Sequence, residues 1–113
     1  MDADHARALL ERERQRVEKA LAGLRSEPHL QLSDYDQHPA DEGTETFEQE
    51  RDEGIAEQLE QELAAIERAE RRVEEGTFGR SIESGEPIPD ARLEAIPWAE
   101  RIQEEQARLG PAR

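Results

Sequence analysis

The sequence predicts a mainly α protein, an antiparallel helical hairpin of the coiled-coil kind with a small C-terminal unit that ends in a helix. Apolar residues recur at helical spacing along two long stretches, and an interval rich in Pro, Gly and Asp separates them. After Gly76 the pattern changes to turn signals and short apolar segments. Of the 113 residues, 34% are hydrophobic and 39% charged, and aromatic residues make up only 4%. That is too little apolar material for a thick globular core, and the mixed charges at helical spacing favour an elongated helical structure over disorder.

The first helix is expected from Asp4 to about Arg25, with Asp2 or Asp4 capping its start. Leu10, Val17, Leu21 and Leu24 form its seam, while Arg7 and Arg14 occupy places where a seam wants apolar residues. Between Ser26 and Glu45, residues Pro28, Pro39, Gly43 and several Asp break the periodicity. Thr46 and Gln49 then have capping-box spacing, and a second helix is expected from about Phe47 to Glu75 with a stripe of Ile55, Leu59, Leu63, Ile66, Ala69 and Val73. Gly54 lies inside it as a packing contact or a bend, and Gly76 suits the left-handed position that ends it. The two stripes bury most simply against each other, giving residues 1–75 as a hairpin with a tip loop at about 26–45.

Residues 76–113 form the second unit. In "TFGRSIESGEPI", Ser84-Gly85 marks a turn between two short segments that can pair, and Pro87 and Pro89 end any strand. "IPWAERIQEEQARLGP" is expected to be one helix, starting at Pro97, with Trp98, Ile102 and Leu109 on one side and Gly110-Pro111 as its stop. So small a unit has to lean on the base of the hairpin.

A formal charge of −14, from 29 acidic and 15 basic residues, makes specific binding to nucleic acid or to an anionic membrane an unfavourable expectation. No apolar run approaches a membrane span and the N-terminus has no signal-peptide pattern, so the expected compartment is the cytoplasm. The absence of cysteine excludes disulfides and thiolate chemistry. No phosphate loop, nucleophile elbow or catalytic carboxylate pair is present, and the expectation is a protein that is not an enzyme.

The order of parts, "YDQHPADEGTETFEQERDEGI" followed by "GTFG" and "GEPIPDARLEAIP", resembles the DksA/TraR family of bacterial transcription factors, particularly members with "HPAD" before the second long helix. The likeness covers about Tyr35 to Gln106. It implies a coiled-coil hairpin joined to a four-cysteine zinc finger, binding to RNA polymerase rather than to specific DNA, and an acidic tip entering the secondary channel toward the catalytic magnesium region. By position the finger's cysteines fall on Ser81, Ser84, Ile102 and Glu105, which cannot replace four thiolates around zinc. A zinc-finger-like unit without metal, and no cofactor, is therefore expected. Ile102 with Trp98, Phe78, Ile82 and Ile88 would supply an apolar core instead, leaving Ser81, Ser84 and Glu105 as ordinary surface or hydrogen-bonding residues.

The partner-binding tip implied by the resemblance comprises His38, Pro39, Ala40, Asp41, Glu42 and Gly43. The family's Asp-x-x-Asp-x-Ala pattern maps to His38, Asp41 and Gly43, so Asp41 alone persists. Without the family frame, Asp34, Asp36, Asp41, Glu42 and Glu45 read as a solvated loop; within it, Asp41 becomes the carboxylate able to reach a basic group or a magnesium shell. His38 is expected to be a turn or contact residue rather than a ligand. RNA polymerase is the expected partner and a monomer the expected state. The alternative is a structural or adaptor coiled coil, dimeric through the polar seam of the first helix, that has lost polymerase regulation. Arg51, Arg68, Arg71 and Arg72 are expected to serve mostly as intrahelical partners of Glu.

Overall fold

A computed structural model describes the backbone of residues 1–35 and 42–110 and the side chains of residues 1–24 and 50–110. Helix α1 spans Ala3–Tyr35 and helix α2 spans Glu42–Glu75, followed by the short helices α3, Asp90–Ala95, and α4, Gln103–Leu109. No strand forms among the described residues; a single antiparallel bridge joins Arg80 and Pro87.

Asp2 caps α1, accepting the backbone N–H of His5 on Oδ1 at 2.8 Å. Ala6, Leu10, Val17 and Leu21 of α1 pack with Ile66, Ala69 and Val73 of α2, and Leu10, Val17 and Ile66 are fully enclosed. Ile55, expected in the stripe, is 40% exposed. The polar seam position is answered across the hairpin: Arg14 lays its Nε and Nη2 on the two carboxylate oxygens of Glu70, at 3.1 and 2.6 Å. Arg16 reaches Glu62 at 2.7 Å, so partners on α2 fall in number as α1 advances, which fixes the antiparallel sense.

Both long helices extend further into the interval than local signals suggest. The backbone of α1 passes through Pro28 to Tyr35, and α2 begins at Glu42 rather than Phe47. Proline removes one backbone donor, but the flanking Glu27, Leu30, Gln31 and Leu32 are tolerant of a helix on both sides. Gly43 lies in the first turn of α2, where N–H groups lack intrahelical partners anyway and a glycine interrupts little. Thr46, the expected cap, is therefore inside α2. Among the described residues Gly54 marks no packing contact, and a Cβ there would meet nothing within 4 Å.

Gly76 ends α2 as expected. With φ 79 it donates to the carbonyl of Val73 at 3.3 Å, and Thr77 donates to that of Arg72 at 2.9 Å, the paired bonds of a Schellman motif. The chain then folds back on the hairpin base, where Phe78 and Trp98 pack against the long-helix core.

Candidate functional site

The C-terminal unit starts with a tight reversal. Ser81 N–H donates to the carbonyl of Glu86 at 2.8 Å, Ile88 N–H to that of Gly79 at 2.8 Å, and Gly85, at φ 77, closes the turn by donating to the carbonyl of Ser81. Only glycine takes that backbone angle without a steric cost. The pairing of the two segments around Ser84-Gly85 is as expected.

The expected single helix from Pro97 is not formed. Pro97 is buried, α3 precedes it, and α4 begins only at Gln103. The reason is where the backbone groups between them go. The carbonyl of Glu100 accepts the N–H of Ile82 at 2.9 Å, and the carbonyl of Arg101 accepts Nε of Arg92 at 2.9 Å. Groups committed to tertiary partners are not available for a helical ladder.

The four positions that correspond to zinc ligands come together around one carboxylate. Glu105, at the third position of α4, is 3% exposed, and Ser81 is 5% exposed. Ser81 donates its hydroxyl to Oε1 of Glu105 at 2.5 Å, and Ile102 donates its backbone N–H to the same oxygen at 3.1 Å. Ser81 Oγ in turn accepts the N–H groups of Glu83 and Ser84 at 3.1 and 3.2 Å. The hydroxyl of Ser81, then that of Ser84, the N–H of Ile102 and the charge of Arg108 hold the Glu105 carboxyl below the usual carboxylate range, against the effect of burial. Of the two expected alternatives, Ser81 and Glu105 take the hydrogen-bonding one, as buried partners rather than surface residues. The set does not fit zinc: Ile102 has no side-chain ligand atom, the two hydroxyls are weak ligands, and Oε1 of the sole carboxylate already accepts two hydrogen bonds.

The replacement core also differs from expectation. Ile88, Leu93 and Ala99 form it, with Phe78, Ile96 and Ile102 packed alongside. Ile82 is 51% exposed and Leu109 60% exposed, and Trp98 joins the hairpin core instead. Leu93 and Ile96 escaped sequence reasoning because α3 is too short to show a period. The polar cluster had one usable signal: positions that converge on a metal must still converge if the frame persists, so polar replacements there will meet.

Glu100 fastens this unit to the hairpin. Arg68 Nε and Arg72 Nη1 donate to its Oε2 at 2.9 and 3.1 Å, and Arg68 Nη2 donates to Oε1 at 3.2 Å. Burial would raise the Glu100 carboxyl, but the two guanidiniums outweigh it and hold it below the ordinary range. Arg68 and Arg72 therefore bridge from α2 to the C-terminal unit rather than along their own helix. A second fastening lies at the start of α1, where His5 Nε2 is 2.6 Å from Glu94 of α3.

Of the expected tip residues, His38, Pro39, Ala40 and Asp41 lie outside the described residues, as does Asp36. Glu42 and Gly43 have helical backbone in the first turn of α2, and their side chains, with those of Asp34 and Glu45, also lie outside the described set.

No family model matches the chain. YteA of Bacillus subtilis, an uncharacterized protein, is 40% identical over 74 residues, covering 66% of this chain and 31% of that protein. General stress protein 16O of the same organism is 36% identical over 72 residues, 64% of this chain and 44% of the relative. The RNA polymerase-binding transcription factor DksA of Caulobacter vibrioides is 50% identical over 46 residues, covering 41% of this chain and 32% of the relative. The matches thus span less than half the length of these curated relatives. Among solved structures, transcription factor DksA2 from Pseudomonas aeruginosa superposes with a TM-score of 0.78 and 28% identity, over 95% of this chain and 81% of that one. A helical hairpin with a short finger-like unit folded on its base defines the class, and in fold and sequence the chain belongs to the DksA/TraR family, as a member in which every finger cysteine is replaced.

Proposed function

We propose that this protein is a non-enzymatic transcription regulator that binds bacterial RNA polymerase and inserts its hairpin tip into the secondary channel. One observation supports this above the rest: the likeness to DksA2 runs through the hairpin and the C-terminal unit together, over 95% of the chain. A fragment that had kept only a generic coiled coil would match the long helices alone. The tip, His38 to Gly43, is the contact segment, and Asp41 supplies a carboxylate for a basic side chain or the shell of a hard divalent cation near the catalytic centre. The protein works as a cytoplasmic monomer without sequence-specific contact to DNA. Arg14 is bonded within its own hairpin, which removes the reason for expecting a second chain at the polar seam.

The test is a pull-down with purified bacterial RNA polymerase at low and moderate salt, followed by in-vitro transcription with wild type and Asp41→Asn. Salt-sensitive binding that competes with other secondary-channel proteins is expected. Asp41→Asn should reduce the transcriptional effect more than it reduces binding. Wild-type behaviour of Asp41→Asn in transcription would remove the tip from the mechanism, and absence of binding at either salt would remove the polymerase.

A further inference from the structure

We propose that Glu100 is a positioning residue: through Arg68 and Arg72 it sets the direction in which the hairpin leaves the C-terminal unit, and so where the tip stands when the protein is seated on the polymerase. This deepens the function proposed above and rests on it. Arg68 and Arg72 lie one turn apart on α2 and both close on the Glu100 carboxylate, with three hydrogen bonds of 2.9, 3.1 and 3.2 Å. The backbone of Glu100 is held as well, its carbonyl accepting the N–H of Ile82 at 2.9 Å. One residue therefore ties together α2, the reversal that contains Ile82 and the segment between α3 and α4.

The other contacts across this junction restrain direction less. Phe78 and Trp98 pack against the long-helix core, but apolar burial follows area and has no preferred angle. Charge-assisted bonds from two guanidinium groups do have one. At the start of α1, His5 and Glu94 are 48% and 52% exposed, and Asp90, which meets the Met1 ammonium, is 70% exposed. Arg72 and Glu100 are only 13% and 18% exposed, so solvent screens their pairing far less.

The clamp sits at the base of a lever. From Arg72 back to Glu42, α2 runs about 45 Å at 1.5 Å per residue. A tilt of about 10° at the base carries the start of α2 by about 8 Å, more than twice the length of a hydrogen bond. Contacts made by the tip do not survive a displacement of that size. Angular slack at Glu100 is thus amplified at the end of the molecule where the proposed function needs registration.

The chain has no cysteine, so Glu53→Cys and Glu104→Cys place two spin labels, one on α2 and one on α4, at exposed positions without competing thiols. Distances between the labels are measured by pulsed electron–electron double resonance on the full chain, alone and combined with Glu100→Ala, Glu100→Gln, Arg68→Ala or Arg71→Ala. Arg71 is exposed on the same helix and is the control. Glu100→Ala and Arg68→Ala should shift or broaden the distribution by about 5 Å, the displacement that a tilt of about 10° gives at Glu53, about 28 Å from the clamp. Glu100→Gln, which keeps an acceptor oxygen, should do so less, and Arg71→Ala not at all. Arg68 is half-exposed, so circular dichroism should show unchanged helix content in Arg68→Ala, which carries the test even where Glu100→Ala loses helix.

The same substitutions without labels are then compared in binding to purified bacterial RNA polymerase and in transcription. Glu100→Ala and Arg68→Ala should lose the transcriptional effect about tenfold while Kd changes by about threefold at most, with Glu100→Gln between them and wild type. Unchanged distances would show that Phe78 and Trp98 fix the angle by themselves and would overturn the proposal. Altered distances with full transcriptional effect, or losses of affinity and effect in step, would overturn it too, while leaving polymerase binding intact. Failure of wild type to bind would remove the function proposed above and this role with it.

Discussion

The hairpin and the C-terminal unit solve the same problem by different means. In the hairpin, side chains at regular spacing bury a continuous seam, and ion pairs such as Arg14–Glu70 lie over it. In the C-terminal unit the buried apolar residues among those described are few, Ile88, Leu93, Pro97 and Ala99, and the rest of the work falls to hydrogen bonds around Glu105 and to the attachment at Glu100. A long repetitive surface can rely on the hydrophobic effect, which is proportional to area. A short irregular segment has little area and depends on directed bonds between particular atoms.

If that contrast is right, the hairpin should be the more costly place to remove a side chain. Leu10→Ala, at a fully enclosed position, should destabilise the protein by about 2–5 kcal/mol in denaturant unfolding followed by circular dichroism. A loss below 1 kcal/mol would mean that the seam is loosely packed. Ser81→Ala should cost about 1.5–3 kcal/mol, since it removes a buried hydroxyl bonded to a charged carboxylate. The effect should appear in Trp98 fluorescence, which reports the junction, before it appears in total helix content.

Acid provides a third comparison. Glu105 and Glu100 are both held below their ordinary range, so the unfolded chain takes up protons first as pH falls. The stability they contribute is complete above the unfolded carboxylate range and is lost as pH drops through their folded values. The Trp98 signal should therefore shift at a less acid pH than the helical signal; coincident transitions would show that the two regions melt as one. The smallest effects run in the other direction or vanish. Gly54→Ala should stabilise by about 0.5–1 kcal/mol, because the added methyl meets open space on a helical backbone. A chelator should leave Tm unchanged, and a large drop would restore a metal to the finger.

The same contrast governs what could be read from the sequence. The seam was legible at Leu10, Val17, Leu21, Ile66, Ala69 and Val73, because helical period itself encodes which side chains are buried. Gly76 was legible because its left-handed turn is a local requirement. Pro28, Gly43 and Thr46 misled because a local preference for ending or starting a helix gave way to the continuation of the long elements. Ser81 and Glu105 are 24 positions apart and of types usually found at surfaces, so neither residue announces that it is buried or paired. The break at Pro97 depended on the carbonyls of Glu100 and Arg101 finding donors in other segments, the Ile82 N–H and the Arg92 guanidinium, which local periodicity does not encode.

The carboxylate at Glu105 also changes how the unit tolerates mutation. A tetrahedral metal centre fails as a whole, because removing one ligand weakens the hold of the other three on a shared ion. Here separate donors, the Ser81 hydroxyl and the Ile102 backbone N–H, converge on a single acceptor and can be lost one at a time. Replacements at Ser84 should produce graded variants rather than an abrupt loss of fold, so this corner of the molecule is free to drift in small steps as long as the acceptor itself is kept.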